Sequence, residues 1–309
     1  MPKASRAAFG EAILELAETY PNLVVVDADL SHSTMTRKFS EKYPARHFNV
    51  GIAESNMVGI GAGLALAGKI PFICSFACFV VNRFEQVRMS VAYNEAPVRI
   101  VGTHVGIGIG EDGYSQMGLE DIALIRTLPN IPIIQPADEI ETKQAVAFLV
   151  NQNRPAYLRL TRQNLDDVNP ASYQFQFGKG VVLHEGRDVA LLATGGVVGN
   201  ALKAAKELTN AGVSAAVINI HTIKPLDDEL ILDAAATCKQ VVTIEDHSVN
   251  GGLGGAVAEL LSERRPTKMK RIGMNTFGES GSPEALYQKY GFSAAGIKKS
   301  VLEFVQAHS

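Results

Sequence analysis

"HFNVGIAESNMVGIGAGLALAGKIPFICSF", His47 to Phe76, decides how the rest of the chain reads. Around Met57 to Ala67 its small and apolar residues predict a helix, and the β-branched and aromatic "IPFICSF" that follows predicts a buried strand. Upstream, Phe9, Ile13 and Leu16 recur at helical spacing, and Pro21 and Asn22 stop that helix before the strand-like "LVVVDADL". Downstream come a helix through Phe84 to Ala92, the strand "VRIVGTHV", a Gly-rich loop, a helix near Leu119, and "IPIIQPAD". Alternating helices and apolar strands imply a mostly parallel sheet covered on both faces, with ligands at the C-terminal ends of its strands. The opening run also holds one carboxylate, Glu54, with no cationic residue between His47 and Lys69. That isolation asks for a reason.

From Asn164 to Gly178, "NLDDVNPASYQFQFG" loses periodicity and gathers Asp, Asn and Pro, as a linker does. A second α/β unit follows in "DVALLATGG", "GVSAAVINIHTIKP" and "QVVTIEDHSVNGGLGGAVAEL", each a strand, a Gly or Pro turn and helical periodicity. The fold class is therefore α/β: two tandem domains, each a mostly parallel sheet covered by helices. The boundaries fall at residues 1–165, a linker over 166–178, and 179–309.

Composition excludes several function classes. At 309 residues, 46% hydrophobic and with net charge −3, the chain can bury one large core or two ordinary ones. No long Lys/Arg block gives an electrostatic case for nucleic acid or an anionic membrane surface. The N-terminal "MPKASRAAFGEAI" lacks a signal peptide's apolar segment, and no apolar run approaches the roughly 20 residues of a membrane span. Cys74, Cys78 and Cys238 make no even disulfide framework and read as buried free thiols rather than metal ligands. Together these features read as cytoplasmic. Three glycine clusters start at Gly59, Gly106 and Gly251, and none fits a dinucleotide fingerprint. Leu64 and Glu111 stand where the first two would need glycine, and no P-loop occurs. Gly59, Gly61 and Gly63 suit close packing of a helix on the sheet. "GIGIGEDG" differs, because it places Glu111 and Asp112 directly after a strand. "EDHSVNGGLGG" suits a strand-to-helix turn better than an ion site.

"ADLSHST", "NVGIAESNMVGIGAGLAL", "SFACF", "THVGIGIGEDG", "LPNIPIIQPAD" and "LRLTRQNL" occur in an order and at separations that resemble the C-terminal half of transketolase, over nearly the whole chain. The resemblance implies a pyrimidine-binding domain followed by the transketolase C-terminal domain, with thiamine diphosphate as cofactor. It implies that Glu54 hydrogen-bonds the ring nitrogen of the cofactor's aminopyrimidine and so starts the chemistry. Taking a carboxylate out of water favours its protonated form and suits that proton sharing. Phe76 and Phe79 match the aromatic residues beside the aminopyrimidine, and Asn82 replaces a third. Asp29 matches an acidic residue near the cofactor. Arg6, Ser33 and Arg162 match the residues that hold the sugar phosphate, where a guanidinium's forked donors suit phosphate oxygens. His104 matches a histidine with catalytic and substrate contacts, and Asp112 a carboxylate that reads a sugar hydroxyl. Gln116 stands where many transketolases carry histidine. It can orient a substrate but does not titrate near neutral pH.

The family's diphosphate and magnesium motif, Gly-Asp-Gly followed by asparagines, does not occur in this chain. The Met1 start suggests a natural half, and the resemblance then implies an N-terminal transketolase subunit as partner, which holds the diphosphate and most of the Mg²⁺ coordination. It also implies homodimerisation through this chain, giving two of each subunit. The expected reaction moves a two-carbon ketol unit between sugar phosphates. Two other readings stand beside it: the β subunit of a 2-oxo-acid decarboxylase or a deoxyxylulose-phosphate synthase half, and a stand-alone binding or regulatory module of the same fold.

Overall fold

A computed structural model describes residues 2–307, so Met1 and the last two residues of the expected C-terminal domain lie outside the described residues. In the first half the strands are Lys3–Ala4 (β1), Leu23–Asp27 (β2), His47–Asn49 (β3), Ile70–Phe76 (β4), Arg99–Thr103 (β5), Ile133–Ile134 (β6), Ala156–Arg159 (β7) and Asn164–Leu165 (β8). In the second half they are Val181–His184 (β9), Val189–Ala193 (β10), Ala215–Asn219 (β11), Thr222–Lys224 (β12), Gln240–Ser248 (β13) and Lys268–Met274 (β14).

The first sheet runs β12-β6-β7-β5-β4-β2-β3, and every neighbouring pair is parallel except β12 with β6. The second runs β14-β13-β10-β11-β9, parallel except for β9 on β11. Both strands β2 and β5 are buried at every position, which is why their apolar stretches, Leu23 to Val26 and Ile100 to Val101, show no alternation with polar residues. Alternation along a strand sends Val25 and Phe72 to one face, against Phe9 and Ile13 of the helix Ser5–Thr19. Val26 and Ile73 go to the other, against Met57 and Val58 of the helix Glu54–Leu66.

That second helix begins at Glu54, three residues before the small-residue run that announces it. A Cβ on Gly61 would lie 2.4 Å from Ile73 Cγ2, so glycine lets the helix settle onto β4. Gly59 and Gly63 face outward with no neighbour within 4 Å, and close packing accounts for Gly61 alone. The strand expected in "VRIVGTHV" stops at Thr103 because His104 adopts a left-handed φ of 58°. The expected helix through Phe84 to Ala92 starts as Phe84–Gln86 and widens into a π-helical turn, Val87–Tyr93.

The two halves are less separate than the sequence pattern implies. Strand β12 comes from the C-terminal side yet forms the edge of the first sheet. The aperiodic stretch after β8 is fastened throughout: Asp138 accepts from the amides of Val168 (3.0 Å) and Asn169 (2.8 Å), and the Tyr173 hydroxyl donates to Glu141 (2.7 Å). It is a strap rather than a loose tether. Among the described residues no helix is long and apolar enough to cross a membrane.

Candidate active site

Parallel strands β2, β4 and β5 end side by side, with Phe76 in register with Thr103 and Asp27 with Cys74. At these ends the backbone leaves the sheet and polar side chains gather. Asp27, fully buried, accepts hydrogen bonds from the Leu30 amide (2.6 Å) and from the hydroxyls of Thr34 and Thr36 (both 2.8 Å). Burial pushes its carboxyl above the usual range, and the three donors oppose that rise. The effect is to fix the loop that carries Ser33.

Arg6, at the start of the helix Ser5–Thr19, reaches across that loop. Its Nη1 donates to the Ser33 carbonyl at 2.7 Å and to His104 Nε2 at 3.1 Å. A guanidinium can only donate, so Nε2 accepts and the imidazole proton sits on Nδ1. Nδ1–H then donates to Thr103 Oγ1 at 2.8 Å, and the Thr103 hydroxyl is left to donate to the Ser75 carbonyl at 3.4 Å. The Ser75 hydroxyl donates in turn to Glu54 Oε1 at 3.3 Å. One run of hydrogen bonds therefore joins Glu54, through Ser75, Thr103 and His104, to Arg6. The His104 ring lies over Phe76 at 3.6 Å between centroids, and Phe76 stacks on Phe79 at 5.3 Å with the planes 9° apart.

Electrostatics divide the site into two ends. Burial, with Arg6 and Arg162 beside it, lowers the His104 pKa to about 3, so the imidazole is neutral at any ordinary pH. Arg6 is itself lowered, chiefly by burial and then by Arg162, with Asp112 opposing. Arg162 donates to the Ile109 carbonyl and stands 3.4 Å from Glu111. Both guanidiniums line a cleft of about 650 Å³ between the domains, shared with Asn200 and Lys203 of the second. Two cations facing a neutral ring make this end suited to an anion. At the other end Glu54 is 5% exposed, and among the described residues its side chain accepts one hydrogen bond, from Ser75.

Of the residues singled out from sequence, the structure brings together Arg6, Ser33, Glu54, Phe76, Phe79 and His104, with Arg162 near enough to act on His104 and Asp112 on Arg6. Asp112 is exposed, and Gln116 is half-buried on the turn Tyr114–Gln116. Asp29 stands apart from this run. Exposed and left-handed at φ 64°, it exchanges hydrogen bonds of 3.1 Å with Asn49 across the ends of β2 and β3. Sequence reasoning missed Asp27, Ser75 and Thr103. Their signal was available, since each is a polar residue within two positions of the C-terminal end of a parallel strand, after an apolar run.

The residues fit the aminopyrimidine that the resemblance implies. A nearly dry carboxyl group can share a proton with a ring nitrogen, and the Phe76–Phe79 pair offers a flat apolar wall. Among the described residues no group of three or more His, Cys, Asp or Glu side chains could hold a metal ion.

Comparisons with known proteins point to one family. The family model for the transketolase pyrimidine-binding domain matches residues 1–167, and that for the transketolase C-terminal domain matches residues 178–297. A putative transketolase C-terminal section from Methanocaldococcus jannaschii is 44% identical over 306 residues, covering 97% of this chain and 96% of its own. A 6-deoxy-6-sulfo-D-fructose transketolase subunit from Clostridium sp. is 39% identical, covering 97% and 94%. A solved structure described as a split gene transketolase, inactive beta4 tetramer, superposes with a TM-score of 0.91 at 41% identity and covers 98% of each chain.

Proposed function

The chain belongs to the transketolase family, and on that premise we propose that it is the C-terminal subunit of a split, thiamine-diphosphate-dependent transketolase. It acts with an N-terminal subunit to move a two-carbon ketol unit from a ketose phosphate to an aldose phosphate. The observation that carries this reading is the hydrogen-bonded run from Glu54 to Arg6, which ties a dry carboxylate beside stacked aromatics to a paired-guanidinium cleft.

Thiamine diphosphate, when bound, supplies the nucleophilic carbon and the electron sink for breaking and making the carbon–carbon bond. Glu54 holds a proton at the aminopyrimidine ring nitrogen, and Phe76 and Phe79 keep water from that face. Asp29, at the strand ends with Asn49, lines the cofactor's edge. Arg6, Arg162 and Ser33 bind the sugar's phosphate; the relative named for a sulfonated fructose acts on a sugar that also ends in an anion. His104, neutral between two cations, orients a sugar hydroxyl by hydrogen bonding rather than by charge. Asp112 reads a hydroxyl's configuration, and Gln116 orients without exchanging protons.

Two observations support a partner. The chain lacks the Gly-Asp-Gly motif, and its relatives are described as a section, a subunit and a split gene product. The outer side of the helix Glu54–Leu66 carries bare Gly59 and Gly63 next to Ile52 (85% exposed) and Leu66 (65% exposed), an apolar face suited to burial in a two-plus-two assembly. The domain boundaries at 165 and 178 and a cytoplasmic setting, in keeping with three free thiols, belong to the same reading. Calorimetry of the lone chain with thiamine diphosphate and magnesium is expected to show weak or no binding, and ketol transfer is expected to appear when an N-terminal subunit is added. Tight binding and turnover by the lone chain would refute the split reading.

A further inference from the structure

Asp246 lies in β13 of the second domain, in the stretch "EDHSVNGGLGG" whose pattern suits a strand-to-helix turn. Glu245 beside it accepts from the amides of Leu253 (2.7 Å) and Gly254 (2.8 Å), which accounts for the turn into the helix Leu253–Arg264. Asp246 points to the other domain. Its Oδ1 accepts from the Ile107 amide at 2.8 Å, and its Oδ2 from the Gly108 amide at 3.2 Å and the Tyr287 hydroxyl at 2.8 Å. Tyr287 in turn accepts from Gln163, the neighbour of Arg162, at 2.8 Å. A Cβ on Gly106 would lie 2.1 Å from Asp246 Oδ2, and φ there is +73°, so only glycine lets the loop lie on this carboxylate.

The loop so held is the one from which the substrate groups hang. His104 precedes it, Asp112 follows it, and the Ile109 carbonyl inside it receives Arg162. Burial of the carboxylate shields these contacts from water. We propose that Asp246 is a positioning residue for the sugar phosphate: a carboxylate from the second domain that clamps the 106–108 backbone and thereby sets where His104, Asp112 and Arg162 stand. The proposal rests on the ketol-transfer reading above.

The test compares Asp246→Asn and Tyr287→Phe with the parent in the enzyme assembled with its N-terminal subunit. Asp246→Asn replaces an acceptor-only group with one that carries two donors facing amide N–H groups, and KM for a ketose phosphate is expected to rise about tenfold, as for one lost charge-assisted hydrogen bond. Catalytic turnover, kcat, should stay within about threefold, because uniform binding is what is lost. Tyr287→Phe removes one of three donors and should raise KM by about threefold. Deuterium exchange over residues 105–112 should quicken in both variants while the strand Arg99–Thr103 stays protected. Unchanged KM in a folded Asp246→Asn enzyme overturns the proposal, whether or not its Tm falls. If Asp246→Asn does not fold, unchanged KM in Tyr287→Phe overturns it instead. A parent assembly without ketol transfer refutes the functional reading, and unchanged exchange over 105–112 then refutes the clamp separately.

Discussion

His104 should be a histidine that refuses a proton, and the cost of that refusal can be measured. In the folded chain its pKa is lowered to about 3 by burial and by the facing Arg6 and Arg162, whereas an unfolded histidine titrates near 6.5. Below about pH 6.5 the unfolded chain binds a proton that the folded chain cannot, so this residue's contribution is complete above 6.5 and is lost as pH falls toward 3. Once titration is under way the slope is about 1.4 kcal/mol per pH unit. Between about pH 7.5 and pH 5.5 the integrated loss is about 1.4 kcal/mol, and that figure requires only that the folded pKa lie well below 5.5.

The parent's pH dependence alone does not isolate this effect. His221 and His247, both lowered to about 4 by burial, add losses of the same sign. Glu141 and Glu245, both raised to about 7 by burial, take up protons on folding and oppose them. The informative quantity is the difference between the parent and His104→Asn, since asparagine can still accept from Arg6 but does not titrate. The chain has no tryptophan, so urea unfolding is followed by circular dichroism at both pH values. The stability gap between parent and variant should shift by about 1.4 kcal/mol against the parent on acidification. Parallel curves would refute the reasoning, because they would mean that His104 protonates in place and that its Nε2 does not receive Arg6.

Two further outcomes concern the proposed chemistry. Glu54→Gln should fold and assemble normally yet lose most turnover in a steady-state assay, since an amide cannot share a proton with the pyrimidine nitrogen; turnover within about twofold of the parent removes Glu54 from the mechanism. Arg162→Ala deletes charge-assisted hydrogen bonds worth roughly 1.5 to 3 kcal/mol and should weaken a ketose phosphate more than its dephosphorylated counterpart. Equal losses in kcat/KM for the two sugars would rule out the phosphate role.

The parts of the fold that were legible in sequence are those that local chemistry dictates. "LVVVD" and "RIVGT" are buried on both faces, so their apolar content had no alternation to hide, and a parallel sheet followed. Glu54 stood out because a lone carboxylate among small residues is conspicuous, and it is indeed buried. Partnerships between distant segments left no local trace. Nothing in "HTIKP" shows that Thr222–Lys224 leaves its own sheet to pair with Ile133–Ile134. Nothing in "EDHS" separates the carboxylate that caps its own helix from the one that crosses to the other domain. The Gly59 and Gly63 positions misled for a related reason: helical glycines look alike in sequence whether they face a sheet or lie bare.

These cross-domain ties bear on what the second domain is for. Within the first domain, Arg159 in β7 and Asp121 form an ion pair at 2.7 Å with side chains 0% and 1% exposed, and the Tyr157 hydroxyl adds a bond to Asp121 at 2.7 Å. The same guanidinium also donates to the Asp246 carbonyl at 3.1 Å, so the strand that carries the clamp is fixed to the first domain at its backbone as well as at its carboxylate. Removing one partner of such a buried pair costs about 3 to 5 kcal/mol, because the other charge stays behind unpaired. A module appended only for association needs none of this at the substrate end. Gly108 and Tyr287, two of the groups that Asp246 holds, line the cleft together with Arg6 and Arg162. Under the proposed function, Asn200, Lys203 and Tyr287 make the second domain part of the substrate site's wall, and sugar binding should respond to changes in it that leave the Glu54 pocket untouched.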